Sequence, residues 1–511
     1  MWPLLGLATF LIWFSWHVLQ RLTQKPLPPG PKPLPLIGNL HQFPAKDPCR
    51  QYKKWTDQYG PLVTVKMGPK LMVCVGSHQV AVELLNNKQS VLNSRPRMVY
   101  MGECIYKGIN TGLMPYGPRW RIHHRIQTRC LRPAWVTQYH PVPDLETKQV
   151  LHDLLTNSDF ETIFQRFSYS INATLAFGTR VETAQSHIMT EMSRISKHVA
   201  EASSTKLGIL VELFPALNSL PTWAAPWKRS ADSARHEVMK LYMDNFNNGK
   251  NSGTWNWTRE ALGMDEAQMS ELELANIIGF IFDAGSEPIS GTLRMLVMAA
   301  AANPAAMQKA QEEIDRVIGS DRLPRSDDIV NLPYTRAVLT ETMRWRPLIP
   351  AGFPHEGDED CEFMGYRIPR GTTIIPNNWS LDLDEKIHDN PLEFHPERWL
   401  ENHDLPLGAF GFGRRKCPGQ VLAREILHIA VTRILWGFNI SPGYENGKKV
   451  EIDTLNLEQG LIGPPVAFEA EFTPRSEKHR KIISSEWEVA EKDPDVLMAQ
   501  IASQIKPSTK E

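Results

Sequence analysis

Hydrophobic and polar positions alternate along this chain with several distinct periods. Residues 271–302 carry apolar side chains on nearly every helical face, the pattern of a helix buried through the middle of a domain. After Pro418, Val421, Leu422, Ile426, Ile429, Ala430 and Ile434 recur with helical spacing and predict a second buried helix that opens on the proline. Residues 60–75 read instead as two short strands with a turn at Gly68-Pro69, followed by a helix over 79–85. Residues 145–260 keep a helical period but offer little chemistry, and they include an aromatic, proline-broken stretch, 214–227, suited to a membrane surface or to loose core packing. A further helix starts near Pro333, and Gly365–Gly371 reads as a hairpin turn.

The two ends differ from this body. Residues 2–20 contain no charged side chain and would span about 28 Å as a helix, close to a bilayer core. Arg21 and Lys25 follow, which predicts a signal anchor over 1–21 with the body in the cytosol. The proline-rich stretch 22–38 cannot be helical and is expected to act as a stiff spacer. Beyond about 475 the composition turns charged, and 476–511 is expected to form an external helix or a partly disordered tail.

Composition narrows the function. A formal charge of −1 over 511 residues supplies no field for nucleic acid. Six cysteines (49, 74, 104, 130, 361 and 417) lack framework spacing and fit a reducing compartment. The Asn172 and Asn256 sequons are then chance matches. No repeat and no flavin or nicotinamide fingerprint is present, so electrons for any redox chemistry would come from a separate protein.

The candidate chemistry centres on Phe410-Gly-Phe-Gly-Arg-Arg-Lys-Cys-Pro-Gly419. Cys417 is placed at a helix start, where the dipole would favour its thiolate. Gly413 and Gly419 permit close backbone approach, Arg415 adds a cation, and Phe410 and Phe412 add an apolar wall. A lone cysteine without nearby histidine or a Cys-x-x-Cys partner makes poor zinc chemistry. The spacing F-x-x-G-x-R-x-C-x-G closely resembles the haem-ligand loop of the cytochrome P-450 superfamily, the haem-thiolate monooxygenases.

That resemblance, spanning about 26–470, implies a mainly α fold with small β-sheets, the cytochrome P-450 fold, as one catalytic domain over 39–475. It implies Cys417 as the ligand of haem b (iron protoporphyrin IX). Trp120 and His124 share a helix face and would meet a haem propionate with His355 and Arg415; His124 stands where the family usually has arginine. Glu341, Arg344 and Arg398 resemble the family's buried Glu–Arg–Arg triad. Ala284-Gly-Ser-Glu-Pro288 resembles the oxygen-activating segment, with proline in place of the usual threonine. Proline removes a helical hydrogen bond and frees a carbonyl to hold water, and proton delivery would fall to Glu287, Ser286 or Ser290. Pocket-lining candidates are Met114, Phe280, Ala284, Ile349, Phe353 and Leu461, with a strand expected just before His355.

The implied activity is NADPH- and O2-dependent oxygenation of a small to medium apolar, aromatic or polyketide-derived substrate. The details resemble fungal microsomal members of secondary metabolism or aromatic catabolism. Implied partners are NADPH-cytochrome P-450 reductase, with cytochrome b5 as a second donor, at the endoplasmic reticulum membrane, and Arg121, Arg125 and Arg129 are candidates for its docking patch. Two rivals stand beside this reading: an oxygen-independent haem-thiolate isomerase or dehydratase, motivated by Pro288, and a non-catalytic haem-binding protein.

Overall fold

The computed structural model describes residues 24–505 apart from 89, 204, 265–268 and 446. The expected anchor over 1–21 lies outside the described residues, as does the end of the tail. Among the described residues no helix is long and apolar enough to cross a membrane.

Prolines punctuate the fold by starting helices, where a missing N–H costs nothing. They occupy the first turn of α1 (Pro48–Tyr59), α2 (Pro118–Cys130) and α3 (Pro141–Asp153). Between α1 and α2 lie β1 (Leu62–Met67) and β2 (Lys70–Val75), an antiparallel pair joined at Gly68-Pro69 as the alternation predicts. The helix expected over 79–85 is split into His78–Val82 and a wider π turn, Glu83–Asn87.

The centre is built from α4 (Phe160–Phe177), α5 (His187–Ser203), α6 (Pro226–Asn251) and α7 (Glu271–Ala302). Helix α7 has the bounds its hydrophobicity predicts and is capped by Ser270, whose side chain accepts the Glu273 N–H. Phe282 packs on Tyr169 and Phe177 of α4, with ring centroids 5.7 and 5.5 Å apart. Two glycines let neighbours approach α7 closely: a Cβ on Gly279 would lie 2.4 Å from the Tyr242 ring, and one on Gly285 2.6 Å from Asn172 Oδ1.

Helices α8 (Pro304–Val317) and α9 (Pro333–Trp345) follow. Short β3 (His355–Glu356) and β4 (Thr373–Pro376) complete a four-stranded sheet of order β1-β2-β4-β3, with β2 and β4 parallel. The strand expected ahead of His355 is reduced to those two residues, because Pro347, Pro350, Pro354 and Gly352 (φ +66°) interrupt any ladder. The chain continues through α10 (Gln420–Gly437), β5 (Phe438–Pro442) and β6 (Ala470–Pro474) to α11 (Glu477–Glu488) and α12 (Pro494–Gln504). The body is mainly helical with small sheets.

Both terminal segments pack on the body. The proline stretch is docked from Pro26 onward rather than free: Thr64 N–H donates to the Pro29 carbonyl at 2.9 Å, and Arg367 N–H to that of Pro26 at 2.9 Å. The charged tail forms two docked helices. Ile483, Met498 and Ile501 are buried, His479 meets the Trp436 ring at 4.5 Å, and Arg475 pairs with Asp315 at 2.6 Å just before α11.

Candidate functional site

The cysteine loop turns tightly ahead of α10. Cys417 N–H donates to the Phe410 carbonyl at 2.9 Å, and Gly413 N–H to Asn86 Oδ1 at 2.7 Å. Gly413 adopts a left-handed φ of +57°, which favours glycine. The helix begins at Gln420, two residues later than expected, because Pro418-Gly419 forms a turn. Cys417 therefore lies outside the helix, and burial pushes its thiol up while the Gly419 N–H pulls it down. Burial outweighs this donor at the helix start, so a bound metal ion would have to displace the proton. Gly419 has an ordinary φ of −88°, so its contribution is this amide donor and not backbone freedom. Phe412 is buried beside His78, while Phe410 lies under the Arg424 guanidinium at 5.1 Å.

Arg415 crosses from this loop to the segment before α2. It donates to the carbonyls of Asn93 at 2.7 Å and Met114 at 2.9 Å, and lies 4.4 Å over the Trp120 ring. Burial lowers its pKa to about 10. His124 stacks on Trp120 at 4.6 Å, as i,i+4 spacing on α2 requires, and burial and then Arg415 hold it neutral. His355 is buried; its Nδ1 lies 3.1 Å from the Leu92 carbonyl, and burial lowers it to about 3.

A fifth group was not singled out by sequence. Arg95 is buried, donates to the carbonyls of Gly112 at 3.1 Å and Pro354 at 2.6 Å, and lies 4.4 Å over Phe353. Burial and the neighbouring Arg415 both depress its pKa. Neither guanidinium has a carboxylate partner among the described residues. Two close guanidiniums, Arg95 buried and Arg415 half-buried, with no ion pair to a carboxylate among the described residues, make a socket for a doubly anionic group. Only the basic pair in Arg95-Pro-Arg97 could have signalled it.

Helix α7 opens at one turn. Ala284 is exposed although the turns on either side are buried, and Phe280, Asp283, Glu287 and Pro288 beside it are half-buried. The Phe280 ring of this turn lies against Gly112, whose carbonyl takes Arg95, and Arg415 of the cysteine loop reaches the Met114 carbonyl two residues on, so the segment 112–114 links the open turn to the cysteine loop. Pro288 has no N–H, so the Ala284 carbonyl lacks its helical donor. Glu287 accepts the Tyr169 hydroxyl at 2.8 Å. Ser286 departs from its expected place: it is fully buried, and its hydroxyl donates to the Phe282 carbonyl at 2.6 Å, on the face packed against α4. Ser290 is also buried.

The remaining pocket candidates come from separate segments. Met114 is buried with its carbonyl on Arg415, Ile349 and Phe353 are half-buried, and Leu461 is exposed in a turn tied to Leu348 by the Gly463 N–H at 2.8 Å. Farther off, Glu341 on α9 is fully buried and receives Arg344 through two bonds of 2.7 and 2.8 Å, Arg398 at 3.2 Å and the Trp399 indole at 2.9 Å.

These residues fit a haem. One half-buried thiol supplies a single soft ligand, the paired guanidiniums suit two propionates, and the exposed alanine leaves room for a flat macrocycle and its ligand. Comparison with known proteins agrees. The sequence model of the family described as Cytochrome P450 matches residues 28–469. The chain is 39% identical over 485 residues to Cytochrome P450 monooxygenase aneD of Aspergillus aculeatus, covering 93% of this chain and 94% of that protein. It is 40% identical over 499 residues to Cytochrome P450 monooxygenase FrzL of a Cladobotryum species, covering 97% of each. It is 39% identical over 507 residues to the Echilunin cytochrome P450 monooxygenase of Aspergillus ruber, covering 98% and 94%. Agreement of this extent, from the proline stretch to the last strand, carries one conclusion: the chain belongs to the cytochrome P450 family, as an oxidoreductase of the monooxygenase kind.

Proposed function

We propose that this protein binds haem b through Cys417 and inserts one atom of dioxygen into a small to medium, mostly apolar substrate of fungal secondary metabolism. The single observation that carries the reading is the open turn of α7, linked through the segment 112–114 to a loop with one half-buried thiol. Haem, when bound, supplies dioxygen reduction and oxygen-atom insertion. The chain's own residues do the rest. Arg415, Arg95 and Trp120 orient the propionates, and His355 and His124 line the same socket. Glu287 accepts the Tyr169 hydroxyl at 2.8 Å and could pass a proton along that contact, and the Ala284 carbonyl offers an acceptor for water. Phe280, Met114, Ile349 and Phe353 exclude bulk water and select apolar ligands.

Electrons come from a separate NADPH–cytochrome P450 reductase, with cytochrome b5 as an auxiliary donor. Arg121 and Arg125 on α2 and Arg414 on the loop are exposed and suit an acidic partner; Arg129 pairs with Glu260 at 2.7 Å. The uncharged run 2–20 anchors the chain in the endoplasmic reticulum membrane. Leu207, Ile209, Leu210, Phe214 and Trp223 are exposed, and Leu36 and Phe214 both approach Gly68, so one apolar surface lies near the chain's entry to the body.

The test is the reduced carbon monoxide complex, which should show the far-red-displaced Soret band of thiolate-ligated haem. Cys417→His should retain some haem yet lose that band and all oxygenation; undiminished product would exclude Cys417 as ligand. Pro288 keeps oxygen-independent rearrangement as the second reading. Product formed without O2 and NADPH consumption would favour it.

A further inference from the structure

The mechanism leaves the half-buried Asp283 unused. It lies on the open turn of α7 beside exposed Ala284, and half-buried Phe280, Glu287 and Pro288 flank it along the same helix. Its Oδ2 lies 3.5 Å from the Tyr242 hydroxyl of α6, and Tyr242 is in turn hydrogen-bonded to Tyr106, which follows the π-helical turn Val99–Ile105. One helical turn on, Glu287 takes the Tyr169 hydroxyl of α4. The groups that face Asp283 are thus Tyr242, Tyr106 and Glu287, with Tyr169 behind Glu287. All but Glu287 are neutral phenols, and no Lys, Arg or His pairs with either carboxylate among the described residues.

Two half-buried carboxylates one turn apart lack the positive charge that would stabilise both as anions. A half-buried acid with only neighbouring hydroxyls is satisfied either by a proton or by a cation that the site does not itself contain. Tyr242 stands on one side of the Asp283 carboxyl, and the open turn on the other gives a ligand access.

We propose that Asp283 is a specificity-determining residue that seats a positively charged nitrogen of the substrate, so that the enzyme selects cationic amines among otherwise apolar molecules. This rests on the reading of the interior beside α7 as the substrate chamber. The carboxyl's ordinary range is displaced to about 7, first by burial and then by Glu287, so the site passes between a proton-filled and a cation-accepting state near neutral pH.

The test uses the haem-loaded full chain and two probes of matched shape: benzyltrimethylammonium, whose nitrogen has no lone pair for iron, and neopentylbenzene, its uncharged carbon counterpart. Binding is followed by the haem absorbance change on titration. The cation should bind about ten- to a hundredfold more tightly at pH 8, the ratio expected for one charge-assisted contact. Its affinity should fall as pH drops through about 7 while that of the neutral probe stays level. Asp283→Asn, with its carbon monoxide band intact, should abolish both the preference and the pH response. Glu287→Gln should move the midpoint to lower pH, and Tyr242→Phe, which loses a donor, to higher pH. Should Asp283→Asn fail to fold, the wild-type probe ratio and the Glu287→Gln midpoint decide. Equal affinity of the two probes overturns this inference and leaves the chamber standing. No response to either probe, in protein with a normal carbon monoxide band, overturns both.

Discussion

Arg415 and Arg95 carry the electrostatics of the site, and they differ in how they could be found. Arg415 stands two residues before the cysteine, so spacing alone singles it out. Arg95 gains its place only from the carbonyls of Gly112 and Pro354 and from its approach to Arg415. No local pattern records such a meeting. Hydrogen bonds to charged groups contribute about 1.5–3 kcal/mol. Arg95→Leu and Arg415→Leu should therefore each speed haem transfer to apomyoglobin by roughly ten- to a hundredfold. Unchanged transfer in Arg95→Leu would remove it from the propionate socket. Cys417 shows the converse error. Its identity was legible, but its surroundings were not: the Gly419 N–H at the helix start lowers the thiol pKa as expected, yet burial outweighs it and raises the pKa.

Among the elements, α7 was the most legible, because a buried helix advertises itself by unbroken apolarity over its full length. Its open turn was legible only as small residues. That Ser286 faces α4 while Ala284 faces the interior follows from which neighbours pack on each side. Pro288→Thr restores a donor for the Ala284 carbonyl, and an interior proline costs about 3 kcal/mol. The variant should be more resistant to thermal unfolding and should change the product formed per NADPH. An unaltered product ratio would place position 288 off the proton path. Around α9, Glu341 holds Arg344, Arg398 and Trp399 in a fully buried cluster. Glu341→Gln leaves two guanidiniums uncompensated, and the loss should be about 3–5 kcal/mol, read from the urea midpoint of the holoprotein. The strand expected before His355 failed for a local reason that was visible: three prolines and a left-handed glycine outweigh the resemblance.

At the scale of the whole molecule, folding buries titratable groups whose preferences oppose one another. His355 and His388 are both lowered to about 3, by burial first, so they support the fold above their usual range near 6.5 and cease to as pH falls toward 3. Asp382 is raised to about 7 by burial, so its contribution is present below about 4 and is lost as pH rises through 7. Asp382→Asn removes the second slope alone while keeping an acceptor for the Gly408 N–H. The melting temperature of this variant relative to wild type should rise from pH 4 to 7 and level off above. Parallel curves would mean that Asp382 titrates normally. The 476–511 tail belongs to this scale too, since its charged composition concealed the buried Ile483, Met498 and Ile501. What the sequence determined by itself were the local matters: the central helix, the first hairpin, the helix-starting prolines and the thiol with its arginine, each written within about a turn or two of chain. Only the tertiary structure decided which face of α7 opens, that Arg95 joins Arg415, and that Asp283 stands half-buried without a cationic partner. Those depend on burial and on charges brought together from distant segments, and desolvation is a property of the packed whole that no short window of residues contains.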